Sequence, residues 1–142
     1  IVGINIPPKH ITLNQMKYDN KIGCTTAIYD IKRLGKKYFM PKLYKSEDWA
    51  LFLQIINACK DCYAYTEEPL AYYCLRSESL SSNKLSMIKY NLAVYQEILG
   101  YNPIKAYTTF LLGFIPSYFK KIIKRKIDSY KYLKKHSSFT QK

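Results

Sequence analysis

A mixed α/β chain folded as one domain is what this sequence predicts, on three observations. Short runs at residues 23–29, 63–65 and 70–75 are rich in β-branched, aromatic and alternating side chains, and they are interleaved with segments whose apolar residues step by three and four. The helical segments are bracketed by residues that start or stop helices. Finally, 142 residues at 48% hydrophobic and 15% aromatic can build one core, whereas two domains would each be undersized.

In chain order, the opening Ile1-Val2-Gly3-Ile4-Asn5-Ile6 followed by Pro7-Pro8 reads as the tail of a strand or loop. With Ile rather than Met in first place, the expectation is a piece of a longer protein. Thr12 and Gln15 match a capping box for a short helix reaching Tyr18, and Asp19-Asn20-Lys21 is a polar break after it. Residues 23–29 read as a strand, with Cys24, Thr26 and Ile28 on one face and Thr25, Ala27 and Tyr29 on the other. Asp30 can cap a single turn that stops at Gly35. A loop carrying Pro41 then delivers the chain to Ser46, the expected N-cap of an apolar helix running to about Ala58.

Downstream, residues 63–65 predict a brief strand, and Glu67-Glu68-Pro69 turns into an aromatic strand over residues 70–75. Ser81 or Ser82 caps a helix in which Leu85, Ile88, Leu92, Tyr95 and Leu99 share a face, and Gly100 ends it. Pro103 suits the first turn of another helix, and a basic helix follows Pro116. Residues 1–100 thus form the main body, with a helical basic tail at 101–142.

The net charge of +13 is concentrated in that tail. Lys120, Lys121, Lys124, Arg125, Lys126, Lys131, Lys134 and Lys135 face only Asp128 across residues 117–135, while Tyr118, Phe119, Ile122, Ile123, Ile127, Tyr130 and Leu133 recur roughly at helical spacing. Such a helix fits an anionic membrane surface, nucleic acid or a solvated exterior. The apolar stretch before it, residues 106–119, falls short of the roughly 20 residues a spanning helix needs and contains Pro116, which favours peripheral contact over a span.

Cys59-Lys60-Asp61-Cys62 has the C-x-x-C spacing, but without a second pair or histidines at metal spacing it is half a zinc site. Reduced thiols explain the four cysteines at least as well as bridges do.

Glu47-Asp48-Trp49 carries the chemistry. The two carboxylates fall in the first turn of a helix whose next residues are apolar, where unpaired N–H groups and the helix dipole favour and orient a negative charge. That is a suitable seat for a base; first-turn acids that merely stabilise the helix are the plainer alternative.

Four ordered segments carry a family resemblance. Asn20-Lys21-Ile22-Gly23-Cys24-Thr25-Thr26, then Ser46-Glu47-Asp48-Trp49-Ala50-Leu51, then Glu68-Pro69-Leu70-Ala71-Tyr72-Tyr73, and finally Arg76 with Ser79 and Ser81-Ser82-Asn83-Lys84 resemble the C-terminal half of a family 2 glycosyltransferase, over about residues 10–100. The resemblance implies the C-terminal, acceptor-side part of a GT-A fold extended by the helical basic tail. It also implies a nucleotide-sugar donor and inverting transfer to the hydroxyl of a glycan or lipid-linked acceptor. Asp48 corresponds to the general base and Glu47 to the neighbouring acid. Gly23, Cys24 and Thr25 correspond to the acceptor-side floor, and Trp49 is a further substrate-binding candidate.

Arg76 stands where the family often has a histidine or arginine, so a metal-binding histidine is absent there. Arg76 is a candidate partner for the donor diphosphate, with an ion pair to Glu78 or Glu68 as the alternative. No Asp-x-Asp occurs in the chain. The divalent cation (Mn or Mg) expected of the full-length enzyme would be held mainly upstream, no metal site is assigned here, and this piece alone is expected to be inactive. By resemblance the setting is bacterial surface polysaccharide synthesis (lipopolysaccharide or capsule), cytoplasmic and peripheral at the inner face of the membrane. The alternative is a non-catalytic module, a small basic nucleic-acid binder or a membrane-surface adaptor. Fifteen tyrosines would permit base stacking, but they sit largely in apolar patterns, which disfavours nucleic acid.

Overall fold

The computed structural model describes residues 3–60, 62–71 and 84–137. Its elements are β1 (His10–Ile11), α1 (Leu13–Tyr18), α2 (Ile31–Leu34), α3 (Glu47–Cys59), β2 (Cys62–Tyr63), α4 (Lys84–Ala93), α5 (Pro103–Thr109) and α6 (Ile115–Ser137). Wider π turns at Val94–Ile98 and Phe110–Phe114 continue α4 and join α5 to α6. The sheet among the described residues is a two-stranded antiparallel ladder, with His10 opposite Tyr63 and Ile11 opposite Cys62.

Helix α3 is the centre of the molecule. Trp49, Ala50, Leu51, Phe52, Leu53, Ile55 and Ile56 are all buried, so the helix is apolar nearly all round, as a helix enclosed by others must be. Each large side chain among them contributes on the order of 1.5–3 kcal/mol by leaving water. Helix α1 and the π turn at Val94–Ile98 pack on it, and α5 packs on that turn. An aromatic series links these layers. The Trp49 ring meets Tyr95 edge-on and Phe114 at a tilt, both at 5.6 Å, and Tyr95 stacks on Tyr101 at 6.0 Å.

Local signals formed as the sequence predicts where they close on themselves. Thr12 and Gln15 make the reciprocal capping box of α1. Asp30 accepts from the N–H groups of Lys32 and Arg33, and Gly35 ends α2 at φ 71°, a left-handed conformation suited to glycine. Asn102 caps α5, and Gly100 takes φ 64° at the end of the preceding helix.

Two expectations are corrected. Residues 23–29 are not a strand: Cys24–Thr26 form a single 3₁₀ turn, all three exposed, with extended backbone on either side. Ala27 and Tyr29 pack against the core from one face, but no strand among the described residues pairs with this segment, so the alternation has no ladder to join. Ser46 takes the N-cap position of α3, but its side chain makes no capping bond: its backbone is left-handed at φ 63°, and its hydroxyl donates instead to Asn91 Oδ1 at 3.1 Å, tying α3 to α4. Of the strand expected at 70–75, residues 72–75 lie outside the described residues, as do Arg76 and Cys74.

Pro116 does not break the tail. Proline lacks an N–H and crowds the carbonyl four residues earlier, here that of Leu112. The π turn at Phe110–Phe114 lies across that position, and its end donates from Ile115 N–H to Phe110 O. The helical rod therefore continues from Pro103 to Ser137. At Gly113 the ring of Tyr18 occupies the space a Cβ would need, so glycine lets α1 close against the rod. No helix among the described residues is long and apolar enough to cross a membrane.

The end of α1 is closed from a distance. Its carbonyls at Met16 and Lys17 accept from the Trp49 indole N–H and the Tyr95 hydroxyl, both at 2.7 Å. These side chains satisfy helix-end acceptors that have no partner within a six-residue helix. Burial first, then the neighbouring Tyr101, Tyr18 and Asp19, push the Tyr95 phenol well above its ordinary range. The folded chain thus holds this proton more tightly than the unfolded chain does. Its contribution is intact below the ordinary phenol value of about 10 and is lost as pH rises above it. Urea midpoints are expected to fall more steeply above that pH in the wild type than in Tyr95→Phe; parallel curves would contradict the assignment.

Candidate active site around Asp48

Glu47 and Asp48 occupy the first turn of α3, both half-buried. The Asp48 carboxylate is fixed at both oxygens. Oδ1 accepts from the backbone N–H of Trp49 at 2.7 Å, and Oδ2 accepts from the Asn20 side-chain amide at 3.0 Å. Asn20 is itself held, because its Oδ1 accepts from Ile22 N–H at 3.1 Å in a local turn. The amide therefore has one orientation, with its donor end toward Asp48.

A buried ion cluster braces the same loop. Asp19, 4% exposed, accepts from Lys21 Nζ at 2.7 Å and from Lys121 Nζ at 2.9 Å. Lys121 also donates to the Asn20 carbonyl at 2.9 Å. Helix α6 thus reaches across to the loop that orients Asp48. Asn20 lies in the segment 20–26 with no role legible there, and neither Asp19 nor Lys121 stands out in the sequence as a bracing residue. A polar break containing Asn is a visible signal, but its partners lie 28 and 101 positions away.

Beside this loop, a cleft of about 200 Å³ runs between residues 5–8 and α6. Lys21, Lys120, Lys121, Lys124 and Arg125 line it, with Asn20 at one wall and Asp128 as its acid. The positive excess favours anionic groups there. The N-terminal segment is pinned along α6 by Ile4 N–H donating to Ser129 Oγ and by Lys124 Nζ donating to Ile6 O, both at 2.9 Å.

The other candidates fall in different places. Gly23, Cys24 and Thr25 are exposed at the start of the turn that begins four residues after Asn20, available to a ligand from solvent. Trp49, expected as a substrate contact, is 3% exposed with its indole N–H committed to Met16 O, so it packs the floor under Asp48. Arg76 lies outside the described residues. No group of three or more His, Cys, Asp or Glu residues able to hold a metal ion occurs among the described residues.

Cys24 is exposed, whereas the Cys62 thiol is pushed up by burial and then by Cys59. Because the thiolate is the reactive form, alkylation at neutral pH followed by peptide mapping is expected to label Cys24 before Cys62. The reverse order would contradict this placement.

The chain is 29% identical over 120 residues to TuaG of Bacillus subtilis (strain 168), a protein provisionally named a teichuronic acid biosynthesis glycosyltransferase. The likeness is to a glycosyltransferase. The match takes in 84% of this chain and 45% of the relative, so the chain spans about half the length of the curated relative it matches. No family model matches the chain, and no solved structure matches it.

Proposed function

We propose that this chain is the acceptor-side part of an inverting, family 2-like glycosyltransferase domain of GT-A type, acting in bacterial surface polysaccharide synthesis. The observation that carries the reading is the match to a glycosyltransferase along most of the chain, in which a braced carboxylate stands at the start of the central helix.

Asp48 is the general base of this proposal. An acceptor hydroxyl hydrogen-bonds to the carboxylate and attacks the anomeric carbon of a nucleotide-sugar donor. As the new C–O bond forms, the proton passes to Asp48, and the bond to the donor diphosphate breaks with its electron pair leaving on the nucleoside diphosphate. Attack opposite the leaving group inverts the anomeric centre. Asn20 and the Trp49 N–H hold the carboxylate in direction, so little reorganisation is needed when the hydroxyl arrives. Glu47 adds negative potential beside it, and the exposed turn at Gly23, Cys24 and Thr25 offers a surface for the acceptor. The charge leaving on the diphosphate falls to groups beyond this cluster, with Arg76 the candidate in the chain.

The test is transfer by the natural protein from a panel of labelled nucleotide sugars to membrane-extracted acceptors, with the anomeric configuration of the product read by NMR. Inverted product supports the proposal. Retained configuration, or no transfer from any donor, overturns it.

A further inference from the structure

The apolar residues of α6 do not form one face. Tyr118 and Ile122 are half-buried. Phe119, Ile123, Ile127 and Tyr130 are 59, 58, 48 and 69% exposed, and their spacing of four, four and three places them in one stripe along the outside of the helix. The stripe spans about 17 Å at the α-helical rise. Exposed apolar side chains at Leu111 and Leu112 extend the surface toward the start of the rod.

We propose that this stripe is a lipid-facing surface by which the chain docks on an anionic bilayer, with α6 lying in the plane of the interface. Charge decides the occupant. Lys120 and Lys131 lie along the edge of the stripe and Lys126 and Lys134 lie along it, all exposed. A second copy packed on the stripe would bring like charges together, and a nucleic acid would use the lysines but leave the apolar row in water. A bilayer with anionic headgroups takes both, since apolar side chains enter the acyl boundary while lysines reach the phosphates. The proposal stands on the helix and does not depend on the transferase reading. If both hold, the acceptor served by Asp48 is carried on the membrane.

The experiment is flotation of the chain with vesicles of phosphatidylglycerol and phosphatidylcholine in equal parts, and with phosphatidylcholine alone. Binding to the mixed vesicles is expected to exceed binding to the neutral ones by about tenfold and to weaken with salt. Ile123→Glu with Ile127→Glu is expected to lower it by about tenfold while circular dichroism and the thermal midpoint stay unchanged, because both positions are solvent-exposed. The indole placed by Tyr130→Trp is expected to shift its emission to the blue on anionic vesicles only. Equal binding to both vesicle types, undiminished binding of the glutamate variant, or a dimer in sedimentation that the glutamate variant dissociates would each overturn the proposal. Loss of binding with transfer to a soluble acceptor retained would leave the base assignment standing.

Discussion

Asp48→Asn is expected to lower transfer by about two to four orders of magnitude while leaving donor binding and thermal stability near wild type. That range is what a positioned general base supplies. The substitution is well suited to isolate the chemistry. An asparagine at 48 keeps an oxygen that can accept from Trp49 N–H or Asn20, so the hydrogen bonds that shape the first turn can persist in part. What it cannot do is take a proton from a sugar hydroxyl. A rate within a few-fold of wild type, measured with saturating donor, would remove Asp48 from the base role. A collapse of both rate and melting temperature would instead make Asp48 a structural acid of the helix start.

Asp19→Asn is expected to lower stability by roughly 2–3 kcal/mol, read as a lower urea midpoint at unchanged slope. A carboxylate this buried, facing two ammonium groups, cannot be neutralised without leaving those charges under-compensated. The lysines are 20 and 34% exposed, so water screens part of the loss and the cost stays below that of a fully buried pair. A second consequence follows for the site. Lys121 holds both the Asp19 carboxylate and the Asn20 carbonyl, so the substitution loosens the residue that orients Asp48. Transfer should fall together with stability, and an unchanged midpoint would show that the cluster contributes nothing net.

Much of the architecture was legible because its signals are local. Thr12 and Gln15 meet within one turn, and Asp30 and Gly35 bracket a single turn, so sequence spacing alone specifies them. The alternation at residues 23–29 misled because a period of two says nothing about whether a partner strand exists, and here Ala27 and Tyr29 meet the core without one. Ser46 misled for a related reason: its hydroxyl had a competing partner in Asn91, 45 positions away. At the candidate site, the Glu47-Asp48 pair stood out from its place at a helix start. The role of Asn20 did not, since nothing near it in sequence points to Asp48. In α6 the periodic pattern contained both stripes, and only packing separates the one that meets protein from the one that meets solvent.

The distant closure of α1 bears on the order in which the molecule assembles. Six residues are too few to hold a helix in water, and the groups that end this one arrive from positions 33 and 78 residues away. Helix α1 therefore becomes permanent only when Trp49 and Tyr95 are already seated. The Asp19-Asn20 loop follows directly on that helix, so the partner of the Asp48 carboxylate is held in place only while Trp49 and Tyr95 are packed.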